Sequence, residues 1–375
     1  MVEIISVSGR RGLRKFIHFN YRLYKGNPYA VPELYFDLER TLNPKKNAAF
    51  EFCKAKYFMA LKDGKEVGRI AGIINDHANQ RWQEKTVRFG WIDFVEDIEV
   101  AQALLEAVAD WGRENGMEKI EGPLGFADFD REGMLTEGFD QQSTIATPYN
   151  PPFYPQFMEQ LGYQVGNKWL EMRITVPETL PERHARIADF VMNRYKLHFV
   201  EFKSIKELAR EWGYKMFEVF NKAYVDIYGF YPLSQGQIEQ YIKQYISLVD
   251  RRMISLIAND RDEVVAVGIA MPSLSDACQK ANGRLLPSGW WHLLKAMYWK
   301  YSKVLDLLLL GVVPEYQSMG VNSILLEHMG QNFKKMGFQF AETNLEMESN
   351  TQVIAMWKAF DCKIHKRRCT FIKQL

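Results

Sequence analysis

Residues 307–322 read LLLLGVVPEYQSMGVN, and residues 323–337 continue SILLEHMGQNFKKMG. Seven apolar positions from Leu307 to Val313 end at Pro314, a short polar turn follows, and Gly320 precedes a helical pattern. An apolar strand, a Gly-containing turn and a helix start together make a place to hold a phosphate. The first N–H groups of a helix lack intrahelical partners, and the helix dipole favours an anion beside them.

Outward from this stretch, the chain shows the same plan twice. The first pass has a strand at 2–7, a helix at 11–25, a hairpin of 57–61 and 66–74 turning at Asp63-Gly64, a strand at 87–95 and a helix at 100–115. A loop-like segment spans 127–138, with a short helix at 152–161 and a strand at 163–176. The second pass has helices at 208–228 and 235–248, a hairpin of 252–257 and 263–271, and an aromatic helix at 288–300. The opening strand follows, then a helix at 321–336, a strand at 339–345, a helix at 351–360 and a last strand to Lys373. Leu104-Leu105-Glu106 aligns with Leu325-Leu326-Glu327 and Gly116 with Gly337, both at an offset of 221 residues. Glu66-Val67 aligns with Glu263-Val264 at an offset of 197, so each half carries one insertion, near 122–142 and 273–300. Repetition of this kind indicates a duplicated unit.

Composition narrows the function classes. In 375 residues, 47% are hydrophobic, 25% are charged and the formal net charge is +2, which describes an ordinary folded chain and argues against a basic nucleic-acid binder. Cys53, Cys278, Cys362 and Cys369 form no CxxC pair and have no histidine at zinc-finger spacing, so no metal is expected and reduced thiols of a cytoplasmic protein are. The N-terminal residues lack the apolar core of a signal peptide, and no run reaches the ~20 apolar residues of a membrane span. Peripheral contact with the inner membrane surface stays open.

The order of elements resembles the GCN5-related N-acetyltransferase (GNAT) superfamily. That family carries V-x-P-x-aromatic-Q/R-x-x-G-x-G/A after its fourth strand; here the turn reads Val312-Val313-Pro314-Glu315-Tyr316-Gln317-Ser318-Met319-Gly320-Val321-Asn322. Asn350 and Trp357 hold the Asn and Tyr places of the family's next helix, while Asp361-Cys362 replaces its Gly-Phe end. In the first half Asn150, Phe157, Gly162 and Tyr163 fit that second motif. The resemblance implies an α/β protein of two tandem GNAT-like domains, each a twisted mixed β-sheet flanked by helices. Residues 1–176 would be a degenerate domain and 177–375 would carry the acyl-CoA site. It implies that pantetheine lies beside the fourth strand, with Gly311, Val312, Val313, Gln317, Ser318, Met319, Gly320, Val321, Asn322 and Asn350 as the binding set. Asn322 departs from the usual small residue. Trp357 departs from the Tyr that often protonates the leaving thiolate, and an indole is only a donor. In the first half, Glu96-Asp97-Ile98-Glu99 stands where the phosphate turn would be, and carboxylates there repel a pyrophosphate.

Acid–base candidates lie after the helix, in AETNLEMESN. Glu342, Asn344, Glu346 and Glu348 alternate, which on a strand puts them on one face. Glu342 and Glu346 are the candidate bases for an amine attacking a thioester; a hydrogen-bonded or solvated strand face explains the pattern equally. Tyr224, Tyr228 and Tyr231 lie in KAYVDIYGFYP, with Tyr228 or Tyr231 the candidate acid or acceptor-binding group, Tyr228 foremost, and core packing the alternative. The stretch SGWWHLLKAMYWKYSKV, with Trp290, Trp291, Leu294, Met297, Tyr298 and Tyr301, reads either as a core helix or as a lid or interfacial helix; His292 reads as a core or edge histidine. The basic run Lys363 to Cys369 reads as a solvated edge strand or an anion contact.

Three activities fit these observations: an N-acyltransferase moving an acyl group from acyl-CoA to a small-molecule or lipid-like amine, a non-catalytic acyl-CoA-binding or scaffold protein, and an aminoacyl-tRNA-dependent transferase with twin halves. The near-neutral charge counts against the last. Acyl length, acceptor and oligomeric state are not encoded in any motif.

Overall fold

The computed structural model describes residues 1–177, 182–246, 249–299, 302–358 and 360–375, with the side chains of 182–187 excepted. Leu248, Lys300 and Tyr301, and part of the helix expected at 351–360, therefore lie outside the described residues. In the first pass the strands are β1 (Val2–Ser6), β2 (Cys53–Lys62), β3 (Lys65–Asn75), β4 (Thr86–Phe94), β5 (Lys119–Gly122), β6 (Met134–Glu137) and β7 (Gln164–Thr175). In the second they are β8 (His198–Phe199), β9 (Ile254–Ala258), β10 (Val264–Pro272), β11 (Val304–Val312), β12 (Phe340–Thr343), β13 (Glu346–Met347) and β14 (Cys362–Gln374). Each pass forms a mixed sheet with one parallel pair, β4 with β5 and β11 with β12. A helix makes the crossover each time, Ile98–Glu114 in the first pass and Val321–Lys335 in the second, as a parallel connection requires.

The two sheets are continuous. The order is β1-β2-β3-β4-β5-β14-β7-β12-β11-β10-β9-β8, with β6 on β14 and β13 on β7. The last strand of each pass lies beside the fifth strand of the other: Phe371 of β14 pairs with Gly122 of β5, and Arg173 of β7 pairs with Glu342 of β12. This exchange overturns the edge-strand reading of Lys363 to Cys369. With neighbours on both sides, β14 buries Lys366 and Arg368 completely. Their charges are matched by the buried Glu171 of β7, at 2.8 Å from Lys366 Nζ and 2.5 Å from Arg368 Nε. Burial opposes ionisation of Glu171, but the two cations hold its carboxyl down at about 2.

Local chemistry explains the repeated features. Asp63 and Gly64 both have positive φ, 53° and 73°, as the tight turn between β2 and β3 needs. Gly116 and Gly337 end the two crossover helices in the left-handed region, at 76° and 84°. Leu104 and Leu105, and their counterparts Leu325 and Leu326, are buried under the sheet. Helices Glu182–Arg194 and Ser275–Ala281 were not anticipated, and the aromatic helix is shorter and split into Gly289–Leu294 and Lys295–Trp299. None of the described helices is long and apolar enough to cross a membrane.

Candidate active site

The site begins with one extra residue in β11. Across β10, Ile269 pairs with Leu309 and Ala270 with Leu307, so Leu308 is a bulge. On its other side β11 pairs with β12 only from Val304↔Phe340 to Leu307↔Thr343. Beyond that point the two strands part, and residues 308–312 present an open edge. Alternate carbonyls share this edge, and each is taken by a side chain. Asn344 Nδ2 donates to Leu308 O at 3.3 Å, Tyr224 Oη to Leu310 O at 2.9 Å, and Gln317 Nε2 to Val312 O at 3.0 Å. These groups satisfy the edge where a paired strand would otherwise do so. An extended amide-bearing ligand has the chemistry to pair here instead.

At the end of the edge, Gly320 has φ 82° and serves as N-cap of the helix Val321–Lys335. It supplies no capping side chain, and the first turn holds no acidic residue. The first half closes both features. Asp97 caps the helix Ile98–Glu114 by accepting from Glu99 N at 3.0 Å and is ion-paired to Lys62 at 2.7 Å. Backbone also fills the gap beside β4. Leu124 N donates to Phe89 O at 2.8 Å, and a Cβ at Gly122 would lie 2.1 Å from that same oxygen. The open edge and the uncapped helix start thus occur together in the second half.

The ten residues expected to bind the cofactor divide into groups. Gly311, Val312, Gln317, Asn322 and Asn350 line the cleft. A Cβ on Gly311 would meet Phe220 at 3.0 Å, so the glycine also lets the helix Gly213–Ala223 pack on β11. Val313 and Val321 are core residues, Ser318 is exposed, and Met319 packs partly against the core. Asn350 caps the helix Thr351–Trp357 by accepting from Val353 N at 3.3 Å.

The cleft has a volume of about 670 Å³ and draws its walls from both halves. Leu307, Leu308, Leu309, Met347, Val353 and Met356 give it apolar surface. Opposite them, the insertion of the first half brings in Asp128 and Glu132. Neither makes a hydrogen bond or ion pair among the described residues. Both lose hydration there. Asp128 is pushed up to about 6 by burial, against the pull of Arg88, and Glu132 is pushed well up by burial and then by Asp128 beside it. Asp130 has a different task, its Oδ2 accepting from Phe126 N at 2.8 Å and Ala127 N at 3.2 Å to close its own loop. Residue order shows the insertion at 122–142 but gives these carboxylates no role. Their four-residue spacing was visible; their meeting with β11 was not.

Of the three residues singled out for acid–base work, Glu346 and Tyr228 line the cleft and Glu342 does not. The strand expected at 339–345 ends at Thr343, so Glu342, Asn344, Glu346 and Glu348 do not share a face. Glu342 points to the partly exposed Arg173 at 3.2 Å and the buried Lys366 at 3.5 Å, and does not line the cleft. Glu348 pairs with Arg367 at the surface. Glu346 does face the cleft, and burial pushes it up to about 8, so it holds a proton at neutral pH. Trp357 is buried nearby, and its indole N–H draws the Glu346 carboxyl down against that burial. Tyr228 reaches the cleft, but its phenol oxygen is held by Glu84 at 3.0 Å, Glu121 at 3.2 Å and Lys119 at 3.1 Å. Burial and then Glu121 raise its pKa further, which makes it a poor proton donor. Tyr231 is structural, donating to Phe126 O at 3.1 Å. The tyrosine segment of the second half is therefore clamped by residues of the first, and Arg88 adds a bond to Gly229 O at 3.1 Å.

No protein-family model matches the sequence. Protein YghO of Escherichia coli K12 is 26% identical over a 389-residue alignment that covers 100% of this chain and 98% of that protein. A protein of Caulobacter vibrioides named bacterial ceramide synthase is 25% identical over 319 residues, covering 84% of this chain and 82% of its own. Among solved structures, a tandem GNAT protein from the clavulanic acid biosynthesis pathway superposes with a TM-score of 0.58 at 11% identity, covering 100% of this chain and 98% of its own. The glucosamine N-acetyltransferase region of a fungal multi-domain β-N-acetylglucosaminidase does so with a TM-score of 0.60 at 12% identity, covering 100% of this chain and 38% of that one. At these identities the agreement is one of fold: the two passes of one plan in this chain superpose along their whole length on the tandem GNAT protein, so the chain has a tandem GNAT fold.

Proposed function

We propose that the protein is an N-acyltransferase that takes an acyl group from acyl-CoA and joins it to an amine carried on a long apolar chain. The open edge of β11 after the Leu308 bulge carries this reading. It fits the ligand's amides, and the Gly320 helix start, free of acidic residues, fits its pyrophosphate. Residues to hold the group are Leu310 and Val312 by backbone, with Gln317 and Asn322 at the turn. Bound acyl-CoA supplies an activated thioester carbonyl.

The protein's own groups have complementary tasks. Asp128 and Glu132 receive an ammonium and accept its proton, which frees the nitrogen lone pair for attack. Their raised affinity for protons suits this work near neutral pH. The amide C–N bond forms as the thioester C–S bond breaks; the second proton of the attacking nitrogen passes to the other carboxylate of the Asp128–Glu132 pair, and the leaving thiolate takes a proton from the Glu346 carboxyl. Glu346 holds a proton in the cleft at neutral pH, where Trp357 has only an N–H to offer. The apolar wall from Leu307 to Met356 accommodates a hydrocarbon chain. The relative named bacterial ceramide synthase supports a long-chain amine as acceptor, since a ceramide is an N-acylated amine of that class.

The test is to incubate the purified chain with acetyl-CoA or palmitoyl-CoA and a panel of amines: a sphingoid base, a polyamine and an amino sugar. Product is read by mass spectrometry and free thiol by colour. Acylated sphingoid base with palmitoyl-CoA is expected. No thermal shift with any CoA species would sink the reading, whereas binding without transfer to any amine would favour an acyl-CoA-binding protein.

A further inference from the structure

The aromatic helix has two faces with different fates. Leu293 is buried in a cluster with Met271 and Leu274, and Ala296 and Met297 pack against that cluster. This inner face explains why the helix is held on the body of the protein. Among the described residues the outer face has no such cover. Trp290 and Trp291 are each nearly half exposed, Tyr298 is 51% exposed and Trp299 is 66% exposed. Leu286, just before the helix, is 77% exposed. Aromatic residues of this size normally bury most of their surface, so a contiguous exposed group indicates a contact.

The group is presented rigidly. Trp290 N donates to Leu285 O at 2.8 Å, and Trp290 Nε1 donates to Pro287 O at 3.0 Å. Trp291 and Trp299 lie with ring centroids 5.6 Å apart. A tight turn leads in, because a Cβ at Gly289 would lie 1.8 Å from Arg284 O.

Beside it runs a groove lined by Arg10, Arg11, Arg14, His18, Tyr35, Phe36, Arg284, Leu285 and Leu286, which contains no carboxylate. Arg10, Arg11 and Arg14 come from one side of the helix Gly9–Leu23. None of the four arginines forms a salt bridge among the described residues. Of the carboxylates on the neighbouring helix Tyr35–Thr41, Asp37 is held by Tyr245 at 3.3 Å and Glu39 by Lys46 at 2.7 Å, with Arg10 adding only a weaker, longer-range pull on Glu39. Exposed tryptophans and leucines edged by arginines that have no carboxylate in salt-bridge contact among the described residues match the boundary between acyl chains and anionic headgroups. Indole rings settle at that level, and guanidinium groups meet phosphate.

We propose that this face, Leu286, Trp290, Trp291 and Trp299 with Arg10, Arg11, Arg14 and Arg284, docks the protein onto an anionic phospholipid surface. Leu308, the bulge residue of the cleft, packs against the same apolar cluster that Leu293 of this helix joins. Docking therefore sets the cleft one helix away from the bilayer. The docking rests on the exposed face alone and holds whether or not the cleft transfers an acyl group.

Flotation of the full chain with vesicles tests it. Phosphatidylcholine vesicles with and without 30% phosphatidylglycerol, roughly the anionic share of such membranes, are compared at low and high salt. Binding is expected to the anionic vesicles, weakening as salt screens the arginines. The double variant Arg10→Glu/Arg14→Glu should lower the partition coefficient at least tenfold, taking about fivefold per basic residue. Trp290→Ser/Trp291→Ser/Trp299→Ser should abolish it. These sites are exposed, and an unchanged thermal melt confirms that the variants fold. Flotation undiminished in both variants, or no flotation of the unaltered chain, overturns the proposal. A dimer in sedimentation that dissociates in the tryptophan variant, without vesicle binding, also overturns it and gives the face to a second copy of the chain.

Discussion

Tyr224 donates its phenol proton to the backbone carbonyl of Leu310 at 2.9 Å, linking the helix Gly213–Ala223 and its tyrosine segment to the open edge of β11. Burial raises the Tyr224 pKa, so the donor stays protonated across the physiological range. Tyr224→Phe should cost about 1 kcal/mol of unfolding free energy in a urea titration, as one hydrogen bond does. Loss of the folded transition altogether would contradict so local a role.

Gly320 is the second point of control. At φ 82° it occupies the left-handed region, which a side chain enters at a cost of about 1–2 kcal/mol. Gly320→Ala should lower stability by about that amount and leave some CoA affinity. Gly320→Glu adds a carboxylate at the helix start and should abolish CoA binding, read by isothermal titration. Equal affinity in the two variants would remove the pyrophosphate from this turn.

For Asp128 and Glu132 the expectation concerns rate and its pH profile. The proton-accepting form is the carboxylate, so kcat/KM should rise with pH through about 6 and continue to rise as Glu132 ionises. Asp128→Asn and Glu132→Gln should each reduce kcat/KM about 10²-fold, the low end for loss of a general base, and flatten that rise. A retained profile in both would assign proton transfer elsewhere.

Glu346 gives a stability test with a definite sign. Its folded-state value of about 8 lies above the ordinary 4.5, so folding favours the protonated form. That contribution is complete below about 4.5 and is lost as pH rises through 8. Glu346→Gln, which mimics the neutral carboxyl, should match the unaltered chain in thermal melts near pH 4.5 and melt higher near pH 9. A variant that melts lower at pH 9 would show the charge to be compensated.

Lys366 neutralises Glu171 and approaches Glu342 from a fully buried position. Lys366→Met should destabilise the protein by about 3–5 kcal/mol, the range for a buried pair that loses one partner. Chemical denaturation would show it. A loss below about 1 kcal/mol, as at exposed pairs, would mean that water reaches the site.

Much of this architecture is local and was legible from residue order. The apolar run ending at Pro314, the Asp63-Gly64 turn, and the glycines after two matching helices all act within a few residues, so their spacing carries their structure. The resemblance in the turn from Val312 to Asn322 pointed to the GNAT fold, and Asp97 at the first-half helix start already signalled a closed anion site there. What pairing decides was not legible. Lys363 to Cys369 reads as an edge because edge strands are basic, yet the exchange of β7 and β14 makes it central, and Glu171, far away in the chain, supplies the countercharge. The alternation of Glu342, Asn344, Glu346 and Glu348 implies one face only if the strand continues, and β12 stops at Thr343 where β11 turns away. Asp128 and Glu132 lie in an insertion of the first half and meet the second half only because both passes share one sheet. Spacing along the chain determines turns, caps and periodicity; which distant carboxylates stand together depends on strand neighbours, and these are settled by burial and charge compensation across the whole fold.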